Sequence, residues 1–207
     1  MALREAKKAA TRTAIADAAL GLFLERGFDR VTVAEVARVA GVSVNTAFNY
    51  FPTKEDLFFD REDQVVRRLA GAVASRAPGE SAVTAVRNAF LRELDDDEPT
   101  LGLHPGAAAF HRVIENSTAL QARLRRLHDD ARDALATELA AATKATVDDP
   151  APRMAAAVLA GLDAALHAEA HRRMMAGERP DDIRSALRAA AVHGFTLAAQ
   201  GLGTYGA

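Results

Sequence analysis

Cysteine is absent from the 207 residues. Disulfides, thiolate metal sites and a cysteine nucleophile are therefore excluded, and redox chemistry leaves the compartment unconstrained. Long apolar runs are missing as well. The start, MALREAKKAATRT, carries charge but no hydrophobic stretch of a secretory signal, and no later run approaches the ~20 residues of a membrane span. A cytoplasmic protein with no membrane partner is expected.

The six histidines lack the acid of an H-E-x-x-H pattern. His167 and His171 stand one helical turn apart, a spacing that presents two nitrogens to one metal, but no third ligand can be named. A solvated or hydrogen-bonded pair, with no metal and no cofactor, is the expectation. No nucleophile is paired with a base, so no enzyme is expected; a helical-bundle metal protein or enzyme is the competing class. Strong net charge is also lacking. The balance of −2 argues against bulk polyanion binding, yet up to Lys54 there are eight basic residues against five acids, so the N-terminal quarter is the basic part.

What is present is alanine-rich, periodic sequence, 49% hydrophobic, which points to an all-α fold of about nine helices. Ile15, Ala19, Leu22 and Phe23 mark a first helix from Arg4 to Arg26, stopped by Gly27. A long helix is expected from Lys54 to about Ala77, closed by Pro78-Gly79, and another over 81–94. The acidic DDDEPTLGLHPG then interrupts the pattern, before helices near 107–115 and 118–144. The second of these carries the stripe Leu120, Leu124, Leu127, Ala131, Leu135 and Leu139. Two last helices, about 153–176 and 182–200, carry rows of small residues four apart: Ala157, Gly161 and Ala165 on one, and Ala186, Ala190, Gly194 and Ala198 on the other. Such rows let another helix approach closely, and as the last helices they are expected to form a homodimer interface over about 153–200. The terminal GLGTYGA is expected to fray.

The most informative stretch is Thr32 to Leu57, TVAEVARVAGVSVNTAFNYFPTKEDL. Thr32, Ser43 and Thr53 precede apolar runs and supply hydroxyls for the orphan N–H groups of three first turns. Glu35 and Asp56 follow two of them at the spacing of a capping box. Gly41 supplies the left-handed turn between two helices meeting at a steep angle. The pattern is a helix-turn-helix. Asn45 and Asn49 share one face of its second helix, and an asparagine amide pairs in two places with adenine N6 and N7; Val44 suits a thymine methyl. Lys54 and the free N–H groups of the helix it opens suggest an anion site. Arg4, Lys7, Lys8 and Arg12 suggest a basic arm for phosphate or minor groove.

With Ile15, Ala18-Ala19, Leu22-Phe23, Gly27-Phe28, Val31-Thr32-Val33, Glu35-Val36-Ala37, Ala40-Gly41-Val42-Ser43, Thr46, Phe48, Tyr50-Phe51 and Lys54-Glu55-Asp56-Leu57, the chain resembles the TetR-type transcriptional regulators over about 11–58. The remainder is similar only in style. The resemblance implies a DNA-binding head at 1–52 and an effector-binding and dimerisation bundle at 53–207. It implies a homodimeric repressor on a palindromic double-stranded operator, with an unknown small-molecule effector that moves the heads apart; an orphan regulator without effector is the alternative. It places phosphate contacts on Thr32, Tyr50 and Lys54, and base reading on Val44 to Asn49. The DNA-binding set is then Thr32, Ser43, Val44, Asn45, Thr46, Phe48, Asn49, Tyr50 and Lys54. Phe48 stands where tyrosine is commoner, Ala47 is smaller than the usual aliphatic, and Val44 and Asn45 replace basic residues. An effector pocket is sought among Phe90, Phe110, Leu124, His167 and His171.

Overall fold

The structure, a computed structural model, describes residues 2–104 and 106–202. Residues 203–207, most of GLGTYGA, lie outside the described residues. Among the described residues there are ten α-helices, one short 3-10 helix at Pro99–Leu101 and no strand. The helices are α1 (Ala2–Arg26), α2 (Val33–Val39), α3 (Val44–Tyr50), α4 (Lys54–Phe58), α5 (Glu62–Ala74), α6 (Ala82–Asp95), α7 (Ala107–Glu115), α8 (Thr118–Thr143), α9 (Ala151–Met175) and α10 (Pro180–Leu202).

The tenth helix arises because the helix expected over 54–77 is two. The chain leaves helical geometry at Phe59 (φ −98°, ψ 54°) and resumes at Glu62. Phe58 and Phe59 both turn their rings to Phe110, stacked at 4.3 Å and edge-on at 6.5 Å between centroids. Adjacent helical residues point about 100° apart, so a continuous helix does not bring both rings to one partner.

Two compact units are present: residues up to 62 together with 109–124, and residues 63–108 together with 125 onward. In the first, Ile15, Ala19, Phe23, Phe28, Val36, Ala47, Phe51, Leu57 and Phe58 form the core, joined by Val113, Ile114 and Leu120. Three short helices bury little on their own, and this added apolar surface contributes at about 25 cal/mol per Å². Phe23 packs against Phe28 at 5.0 Å, and Phe28 meets Phe58 edge-on at 6.3 Å.

In the second unit α10 packs on α6 and α9. Val86, Phe90, Leu135, Leu139, Leu159, Leu187 and Phe195 lie at its centre. Arg184 donates to the Leu94 carbonyl at 2.6 Å, satisfying an orphan acceptor at the end of α6. A Cβ on Gly194 would stand 3.3 Å from the Leu162 side chain, so this glycine serves the close approach of α9 and α10 within one chain. Ala157, Gly161, Ala165 and Ala190, by contrast, are exposed.

Candidate nucleic-acid interface

The head is built by its caps. Thr32 accepts from the Glu35 N–H at 3.2 Å while the Glu35 carboxylate accepts from the Thr32 N–H at 2.9 Å, a complete capping box at the start of α2. Ser43 accepts from Thr46 N at 3.0 Å at the start of α3. Thr53 and Asp56 form a second capping box at α4. Substituting such a cap costs about 1 kcal/mol. Between α2 and α3, Gly41 holds φ +68°, a conformation that penalises any Cβ. Ala37 and Ala47 are both buried, so α2 and α3 cross closely. The small residue at 47 is what that crossing uses.

The outer face of α3 carries Val44 and Phe48, 41% and 43% exposed, beside exposed Asn45 and Asn49. Each pair is four residues apart, so one face presents two apolar groups alongside two amides. Neither amide makes a side-chain hydrogen bond among the described residues, which leaves every donor and acceptor of both available. Phe48 is therefore a surface ring, whereas Phe51 and Phe23 are core. The hydroxyls of Ser43 and Thr46 lie 2.7 Å apart and serve each other. Thr32 donates to Glu35 at 2.9 Å. The Glu35 carboxyl is held below the usual carboxylate range, first by the Thr32 backbone N–H and then by its hydroxyl, with Arg26 and Arg38 adding to it.

Lys54 turns inward. Its Nζ donates to the Phe28 carbonyl at 2.6 Å and sits 4.2 Å over the Phe28 ring. Burial pushes its ammonium below the usual lysine range, against the attraction of Asp29, Glu55 and Glu35. The α4 N-terminus beside it is closed by Thr53 and Asp56 and carries two acids in its first turn. Both parts of the anion site read from the sequence are thus engaged inside the head. An ammonium has three donors, and one of Lys54's is spent here.

Arg12 corrects the expected basic arm. Its Nη1 donates to the Tyr50 carbonyl at 3.0 Å, its Nη2 donates to the Asp60 carbonyl at 3.0 Å, and its guanidinium lies 4.3 Å over the Phe51 ring. It joins the end of α3 to the break between α4 and α5. Nothing local in the sequence signals this, because the partners are 38 and 48 residues away. Arg4, Lys7 and Lys8 are exposed, and they ride on α1 rather than on an irregular arm.

Arg123, another residue the sequence reading passed over, pairs with Asp56 at 2.9 Å and with Glu62, holding both sides of the same break. Of the pocket residues sought, Phe90 and His167 meet edge-on at 5.9 Å, and His171 is half-buried one turn further along α9. Phe110 and Leu124 pack into the first unit's core instead. None of the five lines the groove of about 210 Å³ bordered by Leu162, Leu166, Ala190 and Phe195.

Residues 15–60 match the family described as bacterial regulatory proteins, tetR family. The head is of the tetR type. The match covers the whole capped helix-turn-helix, and with the regulators similar to it the chain is a DNA-binding transcriptional regulator. Over 163 residues, 75% of the chain and 71% of the relative, it is similar to the HTH-type transcriptional regulator TcmR of Streptomyces glaucescens at 28% identity. A shorter stretch of 52 residues, 25% of each protein, is 48% identical to the HTH-type transcriptional regulator LuxR of Vibrio harveyi. In fold, the chain is similar to the SmeT–triclosan complex, with a TM-score of 0.59 at 18% identity over 93% of this chain and 91% of that one.

Proposed function

We propose that this regulator is a cytoplasmic, homodimeric repressor whose two heads read a palindromic operator and whose body binds a small-molecule effector that releases the DNA. DNA binding is assigned to 1–52, packed in one unit with residues up to 62 and 109–124, and effector binding and dimerisation to the rest of 53–207. The observation that carries the reading is the exposed α3 face of Val44, Asn45, Phe48 and Asn49, free of internal hydrogen bonds and otherwise unexplained. Thr32, Ser43, Thr46, Tyr50 and the remaining donors of Lys54 hold the backbone around it, while the two amides pair with adenine and the two apolar groups meet thymine methyls.

Dimerisation through about 153–200 is supported by the apolar side chains left exposed there. Val158 on α9 is 44% exposed and Leu197 on α10 is 55% exposed, beside the open row of Ala157, Gly161 and Ala165. A two-fold interface needs one self-complementary patch, and these helices offer it. Effector binding is supported by analogy with SmeT, the repressor of the Stenotrophomonas maltophilia multidrug efflux pump SmeDEF, which forms a complex with triclosan. Coupling is reciprocal: an effector that weakens DNA binding is itself bound more weakly, by the same factor, when DNA is present. Neither site performs chemistry.

Selection of bound duplexes from random DNA, at stated salt, tests this reading. The expected product is a palindrome with half-sites about one helical turn apart. Enrichment of no sequence, or of a single unrepeated half-site, overturns it.

A further inference from the structure

Arg68 on α5 donates through Nη1 to both oxygens of Glu93 on α6, at 3.0 and 2.8 Å, and through Nη2 to Oδ2 of Asp163 on α9. Two carboxylates share one guanidinium, so the group carries a formal charge of about −1 inside the second unit. Burial opposes the charge on Arg68, but Asp163 and Glu93 outweigh it and hold the guanidinium above its usual range. Asp163 is only 7% exposed, and its other oxygen, Oδ1, is buried and accepts no hydrogen bond among the described residues. A buried carboxylate oxygen without a donor is costly and rare, and each case calls for an explanation.

The groups around it suit a ligand. Nδ1 of His167 lies 2.9 Å from the Asp163 carbonyl oxygen. That oxygen only accepts, so Nδ1, which also lies 3.5 Å from Asp163 Oδ2, carries a proton, and in the neutral form of the ring Nε2 is an acceptor. The His167 ring also meets Phe90, a fully buried aromatic of α6, edge-on at 5.9 Å. An unsatisfied carboxylate oxygen, a second acceptor, an aromatic ring and a surplus negative charge therefore share one cluster.

We infer that this cluster receives the effector, and that the effector is an organic cation: a protonated amine on an apolar frame, donating to Asp163 Oδ1 and to His167 Nε2. The inference rests on the effector reading above. A neutral donor satisfies Oδ1 but leaves the charge uncompensated, and an anion meets Asp163 and Glu93 with repulsion; an ammonium answers both needs. Because Oδ1 is sealed, entry requires α9 to part from α5 and α6 within this unit, and the ligand selects that opened state.

The test is calorimetric titration of the full chain with 4-phenylbutylammonium and with the uncharged 4-phenylbutanol. The ammonium is expected to bind the wild type at least about tenfold more tightly than the alcohol, the scale of one charge-assisted bond. Asp163→Asn is expected to lose that preference. Glu93→Gln, which lowers the charge but leaves Oδ1 in place, keeps ammonium binding with a smaller preference and serves if Asp163→Asn fails to fold. Equal binding of the two probes, binding of neither, or a preference that survives Asp163→Asn overturns the inference. Operator release is measured separately. Ammonium binding at Asp163 without loss of DNA binding leaves the cation site standing and overturns its effector role. Release by uncharged compounds alone upholds the effector reading and overturns the cation site.

Discussion

The guanidinium of Arg12 donates to the main-chain carbonyl of Tyr50 at 3.0 Å, so the C-terminal end of α3, the proposed recognition helix, is closed by a cation from α1. A cation there also complements the negative end of α3's dipole. Arg12 is thus a positioning residue. Arg12→Ala is expected to destabilise the head by roughly 1 kcal/mol, the scale of a net hydrogen bond, and to weaken operator binding while leaving its salt dependence intact. A lost phosphate contact instead lowers the slope of log K against log salt by about 0.9. Binding isotherms at several salt concentrations separate the two, and a shallower slope for Arg12→Ala contradicts the positioning role. Lys7→Ala, at an exposed and unengaged position of α1, is the comparison expected to flatten the slope.

The same guanidinium also holds the Asp60 carbonyl, and Arg123 holds Asp56 and Glu62 on the other side. The break between α4 and α5 is therefore tied at three carboxylate or carbonyl groups. Arg123→Met, which keeps much of the stem, leaves Asp56 and Glu62 without their cation. A fall of about 1–2 kcal/mol in stability to urea is expected, since removing one partner of a half-buried pair strands the other. Unchanged stability shows that the two acids find water instead.

Glu35 gives a pH dependence with a definite sign. Its carboxyl is held below the usual range by Thr32, so its contribution to stability is present above that range and is lost as pH falls through the lowered value. The difference in melting temperature between wild type and Glu35→Gln should be widest near neutrality and narrow once the pH drops below about 4.5. A difference that is constant over pH 3–7, roughly the span of carboxylate titration, assigns the residue's role to packing rather than to charge.

The exposed apolar residues of the last two helices bear on assembly. Val158→Asp combined with Leu197→Asp changes surface positions of the single chain, where substitutions usually alter stability by under about 0.5 kcal/mol. Sedimentation equilibrium is expected to show monomers, with affinity for a two-half-site duplex falling toward that for one half-site. A dimer that persists moves the interface elsewhere.

Much of the head was legible because its signals are local. A capping hydroxyl and an acid three residues on, a glycine after an apolar run and the i, i+4 pairing of Asn45 with Asn49 are all contained within one turn of helix. The split at Phe59 was not legible, because Lys54 to Ala74 is periodic throughout and the cause is Phe110, far along the chain. The internal partners of Arg12, Lys54 and Arg123 were not legible for the same reason. A basic residue near a DNA-binding motif looks like a phosphate contact until its partner is known, and their partners lie 26 to 67 residues away. Residues 109–124 join the head's core through Val113, Ile114 and Leu120, whose apolar spacing says only that they are buried, not in which core. In the body, nothing local in the sequence marks Asp163; only the positions of Arg68 and Glu93 reveal that one of its oxygens has no hydrogen-bond partner among the described residues.

On the proposed reading, an uncharged α3 face chooses the sequence through Asn45 and Asn49. Parallel selections from random duplexes with wild type and with Asn45→Ala, Asn49→Ala protein test it most directly. The prediction is that the wild type enriches adenine or thymine at two fixed positions in each half-site, and that the double variant loses the preference at those positions while retaining salt-dependent binding and half-site spacing, since each bidentate contact contributes about 1–3 kcal/mol of discrimination. An unchanged base preference in the variant would contradict the claim and assign the two amides to the phosphate backbone.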